Sequence, residues 1–359
     1  MSLPPPVPYT PDVETFRDDE QETVAKLNQA FDEILTKTNE DYGHAVRAVH
    51  AKPHAILKGT LSVHAGLAPE LAQGLFATPG EHPAYARIST NPGDILDDAI
   101  ALPRGLALKV ADVPGERLPG AEGTTQDFVM INGPTFLAPT AKKFAGNLAL
   151  LAKTTDKAEG AKVVLSKVLQ VLNGALGAVG LDSAALGSLG GAPQVEPLGE
   201  TYFSVTPFRH GDYIAKYRLR PISPALTALT GGTIDTKDRR DAIREDLRKE
   251  MADIDGEWAF EVQLCRDPDK QPVEDPRVEW KEDEAPFVQV ATLRIPHQDS
   301  WAADAVQQVN EEMRFSVWTG LAAHRPLGDV NRARRDTYRH SASFREAANK
   351  CPIHEPSGA

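Results

Sequence analysis

The sequence predicts an α+β fold in which an antiparallel sheet or barrel is flanked by helices and followed by a C-terminal helical segment. Short apolar runs, several with alternating polar residues, recur along the chain, and Pro and Gly residues separate them. Few segments that could serve as crossover helices lie between these runs, which favours antiparallel pairing over a doubly wound parallel sheet. The length of 359 residues is ample for a buried core.

Eight strands are predicted in two groups. The first group comprises Gly59–Val63, Ala84–Thr90, Gly105–Val110 and Asp127–Ile131. The second group comprises Tyr202–Pro207, Asp212–Leu219, Trp258–Cys265 and Phe287–Ile295. The clean alternation of polar and apolar residues in several of them is typical of strands with one face on a core.

Helices are predicted at both ends of the chain. Apolar residues recur at helical spacing from about Phe16 to Thr36, which indicates an amphipathic helix on the outside of the core. The stretch Pro4–Pro6 before it predicts an extended arm. From about Trp301 the pattern is helical and contains the densest basic cluster, Arg332–Arg339.

An insertion rich in Leu, Ala and Gly, about 157–195, separates the two strand groups. Its Gly content and the flanking Lys162 and Lys167 argue against a bilayer-spanning helix. The favoured interpretation is a helix and loop packed on the barrel. The alternative is an apolar flap or a peripheral membrane contact through 161–190 that admits apolar substrates.

Charge and cysteine content exclude several classes of function. The chain has 39 Lys and Arg against 51 Asp and Glu, a formal charge of −12, which argues against nucleic acid as a partner. Its two cysteines, Cys265 and Cys351, provide neither a disulfide framework nor a cysteine-based metal site. The stretch Met1–Pro11 has no basic segment followed by an apolar core, so we expect a cytoplasmic protein.

Common metal and nucleotide motifs are also missing from the sequence. His50 and His54 have the spacing of two ligands on one helix face, but Pro53 between them disfavours that helix. The Gly-rich stretch Gly187–Gly191 lacks the strand and helix context of a dinucleotide fold, and there is no Gly-Lys-Ser/Thr phosphate loop.

The pair Arg334 and Tyr338 has spacing that indicates specific chemistry. On a helix, residues four positions apart are neighbours, so the guanidinium can lie against the phenol oxygen. A permanent cation there favours the anionic form of the phenol, and a phenolate is a known ligand of haem iron. The alternative is a solvated basic helix face.

Five segments, in the same order along the chain, resemble motifs of the haem catalases. They are Arg47–Lys52, Arg87–Thr90, Pro103–Lys109, Asn132–Phe136 and Arg334–Tyr338. The resemblance covers roughly residues 40 to 345. The chain is shorter than a typical catalase and continues 21 residues beyond Tyr338, so it is most similar to the small, catalase-related peroxidases.

The resemblance implies a catalase-type antiparallel β-barrel and three regions. Residues 1–40 would form an N-terminal arm and helix, residues 41–345 the haem domain with the insertion, and residues 346–359 a C-terminal tail. The family's C-terminal helical region would be missing. The resemblance leaves open whether the protein forms a homo-oligomer.

The resemblance also implies a ferric haem b site and assigns roles around it. Tyr338 would bind the iron, with Arg334 as its charge partner. His50 would be the distal acid/base, Asn132 the amide that helps to hold peroxide, and Ser89 the hydrogen-bond partner of His50.

The remaining implied roles concern the rim and walls of the haem site. Arg47, Arg87 and Arg345 would pair with the haem propionates. Val49 would narrow the approach to the iron, and Phe136 would pack in the distal pocket.

The implied function is that of a haem-dependent oxidoreductase that cleaves peroxides. Its substrates would be organic or fatty-acid hydroperoxides, hydrogen peroxide, or both, with peroxidase, peroxygenase or catalase activity. The alternative is a haem-binding sensor or carrier with little turnover, because a fold does not determine a function.

Overall fold

The computed structural model describes residues 3–148 and 192–356 in full and the backbone of residues 149–152. Nine strands form its sheet: β1 Lys52–Val63, β2 Gly80–Thr90, β3 Arg104–Val110, β4 Gln126–Ile131, β5 Tyr202–Phe203, β6 Phe208–His210, β7 Tyr213–Pro221, β8 Gly256–Leu264 and β9 Phe287–Ile295. All pairings between these strands are antiparallel.

Eight of these strands close into a barrel. The neighbours follow the order β5-β4-β3-β2-β1-β9-β8-β7, and pairing of β5 with β7 closes the circle. Strand β6 adds to β7 outside this circle. The fold is therefore mixed α+β with a closed antiparallel barrel and flanking helices, which confirms the predicted fold class.

The described helices lie around this barrel. They are α1 Glu20–Tyr42, α2 Ala141–Ala152, α3 Pro224–Thr227, α4 Ala242–Met251, α5 Ala303–Ala305 and α6 Asp329–Asn349. A π-helical turn, Val306–Glu311, follows α5, and short 3-10 turns lie at Pro11–Val13, Gly74–Ala77, Pro197–Gly199 and Ala322–His324. No described helix is both long and apolar enough to cross a lipid bilayer.

The barrel interior is filled by aromatic side chains. Phe128 packs edge-on against Phe260 with ring centroids 4.7 Å apart, and Phe76 lies 5.3 Å from Phe260. Tyr217 belongs to the same group, and its ring centroid lies 5.2 Å from that of Phe128. The interior is thus a packed core, and a ligand must bind on the outside of the barrel wall.

Strand β1 is irregular at its start and tightly packed in its middle. Its register with β2 shifts between Pro53 and Ala55, where proline cannot donate a ladder hydrogen bond. Because Pro53 begins a strand, His50 and His54 do not share a helix face, as predicted. Farther along, Gly59 lies next to the start of the pairing between β1 and β9. A Cβ at this position would be 2.2 Å from the carbonyl oxygen of Arg294.

The two ends of the described chain pack back onto the core. The N-terminal arm runs extended beside the barrel, where the Val7 N–H donates to the Cys265 carbonyl at 2.8 Å. Near the other end, Glu355 is buried against the ammonium of Lys109. The Val7 contact thus joins the segment that follows Pro4–Pro6 to the barrel.

The observed elements differ from the predicted ones mainly at their ends. Helix α1 begins at Glu20 and runs to Tyr42, where Gly43 ends it with a left-handed backbone. The prediction of helix from Trp301 onward is wrong for most of 313–328, because Gly320, Pro326 and Gly328 interrupt it. Helix α6 passes the predicted boundary at 345. The predicted insertion, about 157–195, including the membrane contact through 161–190, lies almost entirely outside the described residues.

The close approach of β9 to Gly59 predicts a cost for any side chain at this position. We expect Gly59→Ala to lower the free energy of unfolding by about 1 to 3 kcal/mol, because the added Cβ would overlap backbone that cannot move independently of the barrel. Urea denaturation measures this. Gly146→Ala in α2 is the control, since nothing lies within 4 Å of its Cβ. Equal stabilities of the two variants would contradict the packing argument.

Candidate active site

A cavity with an empty volume of about 670 Å³ lies between strands β2–β4 of the barrel wall and helix α6. Its lining is Phe31, Arg47, Ala48, Val49, His50, Arg87, Ser89, Gly105, Leu106, Ala107, Val129, Met130, Arg314, Phe315, Thr337, Tyr338, Ser341, Ala342 and Arg345. Seven of the ten residues predicted to form a site line it, although they come from segments almost 300 positions apart. The cavity is therefore the candidate active site.

Helix α6 contributes a phenol and its cation to this cavity. Arg334 donates from Nε and Nη2 to the hydroxyl oxygen of Tyr338, at 3.2 and 3.0 Å. This contact is the one that the spacing of four residues predicted. Two hydrogen bonds from a permanent cation to one oxygen stabilise negative charge on that oxygen.

Asn331, one turn before Arg334, holds the guanidinium in place. Its Oδ1 accepts from Arg334 Nη1 at 3.2 Å and from the hydroxyl of Thr206 at 3.0 Å. Its Nδ2 donates to the carbonyls of Pro207 and Leu327. Because Asn331 is fully buried and its amide is satisfied on all sides, the direction of Arg334 is set by the barrel loop at Thr206.

An imidazole lines the same cavity from another segment. His50 has a backbone φ of 52°, a left-handed conformation that costs a non-glycine residue about 1 kcal/mol. Its Nδ1 lies 3.3 Å from Ser89 Oγ, and its ring packs against Gly105, where a Cβ would be 2.5 Å from Cε1. Nε2 has no hydrogen-bond partner in the part of the chain that the structure describes. Ser89 and Gly105 therefore fix the ring and leave one nitrogen for a ligand.

The protonation of His50 is set by its surroundings. Burial, together with the positive charges of Arg87 and Arg334, lowers the pKa of His50 to about 3. The imidazole is therefore neutral at physiological pH and can accept a proton. In this state it can serve as a general base and return the proton afterwards as an acid.

Three buried guanidiniums meet around a single asparagine at one end of the cavity. Arg47 Nη1 and Arg345 Nη2 both donate to the Asn310 carbonyl, at 2.7 and 2.9 Å, and Arg87 Nε donates to Asn310 Oδ1 at 2.9 Å. Asn310 lies in the π-helical turn, a kind of irregularity that is frequent at functional sites.

This arginine cluster has too little negative charge of its own. Among the described residues, no carboxylate lies within 4 Å of Arg47, Arg87 or Arg345, and Glu311 is the nearby acid that offsets their charge. Burial, together with the positive charge of Arg345, lowers the pKa of Arg87 to about 9. Uncompensated buried charges are costly, so the cluster is built to receive an anionic ligand, such as one with two carboxylates.

Three of the ten predicted residues are not part of the cavity lining: Arg334 bonds to Tyr338, and the other two bond or pack elsewhere. The Asn132 amide forms its hydrogen bonds outside the cavity. Its Oδ1 accepts from the backbone N–H of Arg104 at 2.7 Å, and its Nδ2 donates to the Glu200 carboxylate at 2.9 Å. Phe136 stacks against Phe144 with centroids 5.3 Å apart. The structure therefore does not support the predicted position of Asn132 beside a bound peroxide, or that of Phe136 in the distal pocket.

The sequence did not reveal several residues of the site. Ser341 and Ala342 line the cavity from α6, and their spacing of three and four positions from Tyr338 could have revealed them, since it places them on the same helix face. Thr337 lines the cavity from the same helix. Arg314 and Phe315 line it from an irregular segment. No local pattern marks those two, nor Asn310.

Comparison with solved structures identifies the architecture. A fungal catalase superposes with a TM-score of 0.60 at 15% sequence identity, over 88% of this chain and 62% of that protein. Catalase A from Saccharomyces cerevisiae gives 0.58 at 14% identity, over 89% of this chain and 67% of that protein. A bacterial catalase gives 0.58 at 17% identity, over 89% of this chain and 62% of that protein.

The chain has the catalase fold. It spans less than two thirds of the length of the fungal and bacterial catalases that it matches. At 14–17% identity the similarity establishes the shared architecture alone. No protein-family model matches the sequence, and no curated protein is significantly similar to it.

The bonding of Asn331 predicts that this residue supports the catalase-fold cavity. We expect Asn331→Leu to lower the free energy of unfolding by about 2 to 3 kcal/mol, because Thr206 and Arg334 would lose a buried partner. Urea denaturation of the full chain measures this. Ser343→Leu on the exposed face of α6 is the control, with an expected change within about 0.5 kcal/mol. A similar, small effect for both variants would refute the role of Asn331.

Proposed function

We propose that this protein is a haem-dependent oxidoreductase that cleaves peroxides, with ferric haem b in the cavity beside α6. One observation carries the proposal: the cavity brings together a phenol paired with a guanidinium, a neutral imidazole and three buried arginines. The five sequence motifs that resemble those of haem catalases, and the catalase fold, support it.

The residues of the cavity fit a haem group. The two propionates of haem b would supply the negative charge that compensates the guanidiniums of Arg47, Arg87 and Arg345. Tyr338, held by Arg334, would provide an anionic oxygen ligand to the iron. When bound, the haem supplies the oxidation chemistry, and the protein supplies binding, orientation and proton transfer.

His50 carries the proton chemistry in this proposal. Its neutral ring accepts a proton from one oxygen of the peroxide and returns it to the other oxygen as the O–O bond breaks. Ser89 Oγ, at 3.3 Å from Nδ1, orients the ring for this transfer. Arg334 donates two hydrogen bonds to the Tyr338 hydroxyl oxygen and holds it in place.

The walls of the cavity favour organic hydroperoxides at least as much as hydrogen peroxide. The apolar side chains Phe31, Val49, Leu106, Met130 and Phe315 line it. With the Asn132 amide bound to Arg104 and Glu200, the described distal lining offers His50 and Ser89 as its polar contacts for a peroxide. An alkyl group would therefore bury apolar surface in this cavity.

A haem-binding sensor or carrier with little turnover is the second candidate. The position of Asn132 favours it, because an amide held by Arg104 and Glu200 cannot stabilise charge on a reacting peroxide. The two functions differ in the rate of peroxide turnover, which is high for an enzyme and low for a sensor or carrier.

Replacement of the imidazole separates haem binding from peroxide cleavage. We expect His50→Ala to keep the visible haem spectrum while the rate of peroxide cleavage falls by about 10² to 10⁴-fold, because the proton acceptor is lost. Stopped-flow absorbance with hydrogen peroxide and with a fatty-acid hydroperoxide measures this and compares the two substrate classes. Tyr338→Phe is the matched control, with loss of the haem spectrum. A colourless wild-type protein supplied with haem, or full turnover by His50→Ala, would refute the proposal.

The wild-type rate should also lack a titration near pH 6.5. A histidine with its pKa lowered to about 3 is already deprotonated above pH 5, so lowering the pH from 8 to 5 does not remove the base.

The position of Asn132 outside the cavity predicts that its amide contributes little to peroxide cleavage. We expect Asn132→Ala to change the rate of peroxide cleavage by less than about threefold, because the amide bonds to Arg104 and Glu200 and does not line the cavity. The same stopped-flow assay measures this, with Ser89→Ala as a comparison inside the cavity. A loss of 10²-fold or more, the size expected for a donor to the reacting oxygen, would show that the amide reaches the substrate.

A further inference from the structure

A second cavity lies on the outer face of the barrel. It has an empty volume of about 410 Å³ and is separate in its lining from the cavity beside α6. Aromatic rings of Phe203, Trp280 and Phe287 form its walls, and the side chain of Lys216 on β7 enters it.

Lys216 differs from the other buried lysines in the described chain. Lys52 is paired with Asp98 at 2.7 Å and with Asp241 at 3.0 Å, and Lys109 is paired with Asp127 at 2.7 Å. Lys216 is 4% exposed, but no described carboxylate lies within 4 Å of its ammonium. Its partners are the carbonyl of Val278 at 3.2 Å and the Trp280 ring, whose centroid is 5.0 Å away.

A buried amine without an ion pair is easily deprotonated. Burial lowers the pKa of Lys216 to about 8, although the more distant charges of Glu279 and Asp275 act against this shift. At pH 8 about half of this amine is neutral and nucleophilic, against well under 1% of an ordinary lysine, a difference of about 100-fold.

The cavity suits a neutral partner for this amine better than an anion. Two carboxylates, Glu279 and Glu282, line the cavity, and their negative charge disfavours the binding of an anionic ligand. Glu279 is already paired with Lys281 at 2.8 Å, and Glu282 with Arg218 at 2.5 Å, so neither neutralises Lys216. The three aromatic walls favour an apolar or aromatic group.

We propose that Lys216 is a covalent binding site for small apolar or aromatic aldehydes, which it holds as an imine in the cavity on the outer face of the barrel. The Nζ lone pair attacks the carbonyl carbon, a C=N bond replaces the C=O bond, and the oxygen leaves as water with both amine hydrogens. Nothing is oxidised or reduced. This binding does not depend on the haem site or on the proposed function.

The proposal is tested on the full chain by trapping the imine at pH 8 with benzaldehyde and sodium cyanoborohydride, which reduces it to a stable benzyl amine. Peptide mass spectrometry then compares individual lysines. We expect Lys216 to be labelled at least tenfold faster than the exposed Lys237, whereas Lys109, equally buried but ion-paired, stays unlabelled. In Lys216→Arg the fast phase should disappear.

Two further arms distinguish a binding site from mere reactivity. With glyceraldehyde, a polar aldehyde that gains little from the aromatic walls, the preference for Lys216 over Lys237 should fall at least threefold below the preference seen with benzaldehyde. Equal labelling of these two lysines by benzaldehyde, or an equal preference with glyceraldehyde, would overturn the proposal. Protection of Lys216 by an equal concentration of benzoate would assign the cavity to carboxylates and would also overturn it.

Discussion

The contact between the Arg334 guanidinium and the Tyr338 phenol is the interaction on which the candidate site depends. It forms within one turn of α6, and so its geometry follows from helix periodicity. The same helix face continues to Ser341 and Arg345, so that one rigid element contributes both the phenol and part of the arginine cluster. Asn331 ties this helix to the barrel loop at Thr206, which makes the site a joint product of the helix and the barrel.

Positive charge is the second organising feature of the site. Asn310 gathers three guanidiniums through its carbonyl and amide oxygens, yet it cannot neutralise them. The two ion-paired buried lysines, Lys52 and Lys109, show how this fold compensates a buried cation when no ligand is involved. The arginine cluster departs from that rule, and so does Lys216 in the second cavity. Among the described residues, these uncompensated cations beside cavities are the sites at which we propose that ligands bind.

The sequence predicted the strands better than the ends of the helices and the fine geometry of the site. Short apolar runs, several of them alternating, identified the eight barrel strands because each strand contributes side chains to the packed interior, as Tyr213–Pro221 does with Tyr217. The chain after Trp301 was harder, because its helical composition is interrupted by turns whose conformation depends on the barrel. Asn132 shows the limit for the site: its motif indicates a catalytic amide, but the bonds that take up this amide come from Arg104 and Glu200, far away in sequence.

By itself, the sequence determined the features that arise from neighbours along the chain. These are the alternation of the strands, the pairing of Arg334 with Tyr338, and the break at Pro53 that excludes a two-histidine helix site. Only the tertiary structure decided which distant residues meet. Closure of the barrel brings His50, Ser89 and two of the three arginines, Arg47 and Arg87, to α6, and it turns Asn132 away, because hydrogen bonds and charge between remote segments leave no local pattern.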